Sequence, residues 1–236
     1  MITYDEFIGK VCEAGFRSRF TSCINPNIFV YGAEGSQSYT GDPETDAGKW
    51  GLRAAQEKKL AYGHFFNGSP DGFIAPRFYS VFVDAFRPRM TVEERYASGR
   101  LGEYEWMVWD VFNALDGPVE WAQIWQQYGI RDAAEKRKLD AALKNLQMTF
   151  DITVSNVVRG VLKNGEPARY KDGSPIIGIG YGKVDDWVPP EWMELNPRME
   201  HREALEMLYR QAEKHSNAGD AKKAFAKSIK LYKSFC

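Results

Sequence analysis

The most constraining feature of this chain is a change in apolar spacing between residues 103 and 187. Apolar residues first recur at helical spacing, in the strings EYEWMVWDVFNAL, VEWAQIWQQYG and RDAAEKRKLDAALKNLQM. Two β-branched runs then follow, ITVSNVV and PIIGIGYGKV. Because helices and strands bury apolar residues with different periods, this order predicts three helices followed by a β-hairpin.

The third predicted helix has an apolar stripe on one side and charges on the other. The stripe consists of Leu139, Ala142, Leu143 and Leu146. At helical spacing, Arg137, Asp140 and Lys144 point the opposite way. Three helices and a hairpin in this order form a winged-helix module, whose third helix most often enters the major groove of DNA. We therefore expect Arg137 and Lys144 to contact duplex DNA.

The stretch GVLKNGEPARYKDGS joins the two predicted strands and is too long for a tight turn. Its cations predict a basic wing, in which Lys163, Arg169 and Lys171 touch the DNA backbone. The same order of elements also occurs in modules that dimerise or dock a protein. A non-enzymatic interaction module, for example in a homodimer, is therefore the alternative function.

The region before this unit is predicted to be helical. ITYDEFIGKVCEAG has an amphipathic pattern that Gly15 closes. A second helix is expected to begin after Asp46, as its N-cap, and to run through KWGLRAAQEKKLAYGHFF. FIAPRFYSVFVDAFR fits a helix or a strand, and Pro76 favours the helix.

These patterns together predict an α+β, predominantly helical protein. A helical N-terminal region covers residues 1–100, a winged-helix module covers residues 101–190, and C-terminal helices in residues 191–236 pack on or beside it. The chain has 236 residues, which is enough for one large domain or two small ones.

Charge and cysteine content limit the classes of function. The net charge of -1 gives no global attraction to phosphate, so a nucleic-acid site must be a local patch. The three cysteines lack C-x-x-C spacing, which argues against a disulfide framework and against a zinc site. We expect a cytoplasmic protein with no membrane span, no metal and no cofactor.

One local imbalance of charge lies near the C-terminus. The lysines there are Lys222, Lys223, Lys227, Lys230 and Lys233. Their spacing places several of them on one part of a helix, and the other face of this helix carries Phe225, Ile229 and Tyr232. Such a helix either contacts phosphates or is a solvated surface.

Three strings carry a resemblance to a known family. They are GDPETDAGKWGLRAAQEKKLAYGHFFNGSPDGFIAPRFY, KNLQMTFDITVSN and VDDWVPPEW. In order and spacing they resemble the AlkZ-related proteins, which are bacterial relatives of winged-helix DNA glycosylases that excise alkylated or crosslinked bases. The resemblance implies DNA binding and a role in DNA repair.

Excision by these glycosylases uses a Q-x-Q or Q-x-D motif that positions the attacking water. This sequence contains no Q-x-Q, since Gln123, Gln126 and Gln127 lie on the second predicted helix with other spacing. Another residue would have to orient the water beside the sugar.

The first string offers candidates for this chemistry. The carboxylates are Asp42, Glu44 and Asp46, and the candidate base pocket consists of Trp50, Tyr62, His64 and Phe65. Structural roles are open alternatives, because Asp42 also suits a turn beside Pro43 and the aromatic residues also suit a core.

Overall fold

The computed structural model describes residues 2–18, 48–67, 71–159, 166, 169, 173, 177–215 and 218–235. Within them the helices are α1 (Tyr4–Ala14), α2 (Trp50–Gln56), α3 (Pro76–Phe86), α4 (Val92–Ala97), α5 (Glu103–Ala114), α6 (Trp121–Gln127), α7 (Ala133–Met148), α8 (Val184–Trp187), α9 (Pro190–Glu194), α10 (His201–Glu213) and α11 (Ala218–Phe235). The strands are β1 (Phe16–Ser18), β2 (Ala61–Gly63), β3 (Gly72–Ile74), β4 (Val119–Glu120), β5 (Ile152–Arg159) and β6 (Ile177–Lys183). The fold is therefore α+β and mainly helical, as the sequence predicts.

The strands form two antiparallel sheets. The first has the order β1-β3-β2, and Phe73 pairs with both Arg17 and Tyr62 across it. The second has the order β4-β6-β5, with Val154 opposite Tyr181 and a bulge before Asn156. In the second sheet β6 is therefore the central strand. It pairs with β4 on one side and with β5, its partner in the hairpin, on the other.

The core consists of two clusters of buried apolar side chains. One cluster joins α1, α2, α3 and the first sheet to the helices α10 and α11. The other holds α5, α6 and α7 together and includes Ile152 and Phe235. Tyr181 packs against both clusters, so the second sheet connects them.

Local signals in the sequence fix several helix ends, and those at Gly15 and Pro76 confirm predictions. Thr91 begins α4 with a capping box, because its hydroxyl accepts from the Glu94 amide and the Glu94 side chain accepts from the Thr91 amide. Gly15 ends α1 with a φ of 88°, a backbone conformation that favours glycine. Pro76 opens α3, which settles the helix-or-strand ambiguity in favour of the helix.

The long helix predicted after Asp46 is wrong at both ends. The helix begins at Trp50, its N-cap position is Lys49, and no side chain makes a capping bond there. It ends at Gln56, because the chain turns back at Lys58, where φ is 52°, and the Lys59 amide donates to the Ala54 carbonyl. The following residues form β2 instead.

A tertiary contact explains this departure from the local pattern. β2 pairs with β3, and this pairing stacks the ring of Tyr62 on that of Phe73 with a centroid separation of 5.3 Å. Sheet pairing across this contact outweighs the moderate helical pattern of the segment.

Among the described residues, no helix is both long enough and apolar enough to cross a membrane.

Candidate nucleic-acid interface

Helix α7 is positioned by its apolar stripe and by its first turn. Leu139 and Leu143 are buried, as predicted, and they fix which face of the helix points outward. The carboxylate of Asp132 accepts hydrogen bonds from the amides of Ala134 and Glu135 at 2.8 and 3.0 Å. These two bonds satisfy amides that a helix start leaves open, and they hold the beginning of α7.

The outward face of α7 presents two of the predicted DNA contacts. Arg137 is exposed, and no hydrogen bond or ion pair occupies it within the described part of the chain. Lys144 is half-exposed, and its Nζ lies 2.6 Å from Oδ2 of Asp140. Both cations face the same side as predicted, but a neighbouring carboxylate already holds one of them.

Two other cations on α7 are held by aromatic residues. Nζ of Lys138 donates to the hydroxyl of Tyr104 at 3.2 Å. Nζ of Lys136 lies 3.6 Å from the ring centroid of Trp125. These contacts keep both ammonium groups close to the protein surface. Arg137 is therefore the cation of the outward face with the most freedom to contact a ligand.

The hairpin that follows α7 is closely packed at its base. A Cβ atom on Gly180 would lie 2.9 Å from Cβ of Pro118, and one on Gly182 would lie 3.0 Å from Oγ of Ser155. The glycines of β6 thus permit close approach of neighbouring groups.

The predicted wing cations lie between β5 and β6 in the sequence, and Arg169 is the one that the structure describes. Arg169 is exposed, and its Nη1 donates to the Gly173 carbonyl at 2.8 Å. Lys163 and Lys171 lie outside the described residues. Their contacts with DNA stay predictions.

The aromatic residues of the predicted base pocket are packed against other rings. Phe65 stacks on Phe150 with a centroid separation of 5.4 Å, and Trp50 lies 5.4 Å from Phe7. Trp50, Tyr62 and Phe65 are each at most 3% exposed. In this structure they are part of the core, and their role in a base pocket stays a prediction.

Of the remaining predicted site residues, the structure describes only His64. His64 is half-buried, and its amide donates to Oε1 of Gln147 in α7 at 3.0 Å. Asp42, Glu44 and Asp46 lie outside the described residues, so the structure does not place the candidate catalytic carboxylates.

A cavity lies between the hairpin, the turn at Lys58 and the turn that follows α5. Sequence reasoning did not predict this cavity. The cavity has a volume of about 410 Å³ and is lined by Lys58, Asn113, Ser155 and Asp186, among others. Lys58, Ser155 and Asp186 come from the three different strings that carry the family resemblance. No local pattern could reveal this, because their meeting depends on the left-handed turn at Lys58 and on the packing of the hairpin.

Two ion pairs hold the hairpin against the rest of the protein. Arg87 donates two hydrogen bonds to the carboxylate of Asp185, and this contact lowers the pKa of Asp185. Nη2 of Arg95 lies 2.5 Å from Oδ1 of Asp151, and both side chains are at most 4% exposed. Thr149 also donates to Asp151 at 2.6 Å. The second pair thus connects α4 to the junction between α7 and β5.

Comparison with known proteins identifies the family. A family model described as AlkZ related matches residues 1–230. The chain belongs to the AlkZ-related family. No curated protein matches the chain, and no solved structure matches it.

Proposed function

We propose that this chain is a winged-helix protein that binds duplex DNA through α7. One observation carries the proposal. The elements α5, β4, α6, α7, β5 and β6 follow one another in the chain, and their strands form a sheet of order β4-β6-β5. This order of elements supports assignment as a winged helix, in which the helix before the hairpin is the one that reads DNA.

The geometry of α7 suits the major groove. The groove is wide enough to admit one α-helix. The outward side of α7 carries Arg137 and Lys144, with Ala141 between them and Ala134 one turn before Arg137, and these small residues permit close approach. Arginine and lysine bind phosphates and base edges as charged donors.

Electrostatics support a local contact rather than a general attraction to DNA. The chain has a net charge of -1, so binding depends on where the cations lie.

Membership in the AlkZ-related family supports a DNA-repair, glycosylase-like relationship. Excision additionally needs a group that orients water at the sugar. That role for Asp42, Glu44 or Asp46 stays a prediction from the sequence.

Asp140 provides a test in which binding should become stronger. Its carboxylate holds Lys144 at 2.6 Å and would face the phosphates of a duplex seated on α7. We expect Asp140→Asn to bind a fluorescent duplex roughly 3-fold to 10-fold more tightly, because one repelling charge is removed and one lysine is released. Damage to the fold cannot produce this gain.

The matched control for this variant is Glu206→Gln on α10. Glu206 also holds cations one helical turn away, with Arg202 at 3.3 Å and Arg210 at 3.6 Å. This variant has the same change of net charge but lies outside the proposed winged helix. An equal gain in both variants, or no gain in Asp140→Asn, would contradict binding through α7.

A further inference from the structure

The C-terminal ends of α7 and α11 pack against each other. Asn145 of α7 and Leu231 of α11 line the same cavity, which has a volume of about 120 Å³. Leu146 of α7 and Phe235 of α11 are buried in one apolar cluster. Helix α11 is therefore fixed beside the surface that α7 presents.

The middle of α11 is held as well. The amide of Asn67 donates to the carbonyl of Ala224 at 2.7 Å, and Phe225 is fully buried. Because α11 is anchored at its middle and at its C-terminal end, its exposed side chains keep a fixed position relative to α7.

Three lysines of α11 share one side of the helix. Lys223, Lys227 and Lys230 follow the spacing i, i+4, i+7, and they span about 10 Å along the helix axis. Lys223 and Lys230 are exposed, and Lys227 is half-buried. Lys222 and Lys233 point away from Lys227 by about 120–140° around the same helix.

Across the packed helices, the charge of Lys144 on α7 acts on Lys227 of α11. Burial lowers the pKa of Lys227, and the ammonium of Lys144 lowers it further, while Glu105 acts in the opposite direction. Near Lys227, Glu105 accepts from Asn145 at 2.7 Å and Asp140 holds Lys144. Asp220 lies 3.8 Å from Nζ of Lys223, which would exchange this carboxylate for a phosphate. The lysines of α11 thus continue the cationic face of α7.

We infer that α11 is a second DNA-contacting helix, whose Lys223, Lys227 and Lys230 bind the phosphate backbone of the duplex seated on α7. This inference rests on the proposed function of α7. Ammonium groups suit the partner because they bind phosphates as point charges and make no demand on base sequence. Contact with this duplex would account for the cluster of lysines near the C-terminus, so these lysines need no other ligand.

The test compares two double variants of the same helix. Lys227→Gln with Lys230→Gln removes two charges from the side beside α7. Lys222→Gln with Lys233→Gln removes two charges from the other side. Glutamine retains helix propensity and most of the apolar stem. Binding of a fluorescent duplex is measured over a series of salt concentrations, and circular dichroism confirms the fold of each variant.

We expect the first variant to lower the slope of log K against log salt by about 2 and to weaken binding, because each lost phosphate contact contributes about 0.9. The control variant should keep the slope of the unaltered protein. Equal losses in both variants, or no loss in the first, would overturn the inference and leave α7 as the DNA-binding helix. If the unaltered protein binds no duplex, both the inference and the proposed function are overturned.

Discussion

Replacing Asp151 with alanine is expected to lower the free energy of unfolding by about 3–5 kcal/mol, because the variant leaves a buried arginine without its counter-charge. Arg95 is fully buried, and its Nη2 lies 2.5 Å from the carboxylate of Asp151. Thr149 would lose its shortest hydrogen bond but could still donate to the carbonyl of Asn145 at 3.0 Å. Urea unfolding followed by circular dichroism measures the effect.

Two further variants identify the cause of this loss. Adding Arg95→Met to Asp151→Ala removes the stranded charge, so we expect much of the stability to return. Arg89→Ala breaks an exposed pair with Glu200, in which both side chains are 78% exposed, and should change stability little. If Asp151→Ala is as stable as the unaltered protein, or if the double variant is no more stable than the single one, the pair does not hold the hairpin.

The double variant Arg137→Ala with Lys144→Ala is expected to weaken duplex binding roughly 10-fold to 100-fold near 0.1 M salt and to lower the salt slope by about 2. Arg137 is exposed, and Lys144 needs only to exchange Asp140 for a phosphate. Neither side chain is part of the core, so the fold should persist. Fluorescence anisotropy over a salt series measures both quantities.

The control for this variant is Arg202→Ala with Arg210→Ala. It removes the same charge from exposed positions of α10, where Glu206 pairs with both arginines. We expect its binding and salt slope to match those of the unaltered protein. Binding that is unchanged in the α7 variant, or reduced equally in both, would exclude α7 as the contact surface.

The sequence was sufficient to predict elements whose signal is local. The stripe of Leu139, Leu143 and Leu146 predicts the buried face of α7, and the same spacing places Arg137 and Lys144 outward. β4 could not be predicted, because its two residues are too few to show an apolar period. β2 was missed because its pairing with β3 is a tertiary contact.

The contacts that position the interface are likewise tertiary. Arg87 and Asp185 are separated by 98 residues in sequence, and Arg95 and Asp151 are separated by 56. The approach of Lys227 to Lys144 depends on how α11 crosses the end of α7. Charge spacing indicates which helices are cationic, but only packing shows that two of them share a surface.

The most direct test of DNA binding is the affinity of the unaltered protein for a fluorescent duplex at low and high salt. An unmodified duplex and one with an abasic-site mimic are measured side by side. With five cations contributing from α7 and α11, we expect binding at low salt and a log–log slope of about -4.5. Preference for the mimic would favour a pocket for an extruded nucleotide. Absence of binding to either duplex at low salt would contradict the account and favour a module that docks a protein. Binding that ignores salt would contradict contact with the phosphates.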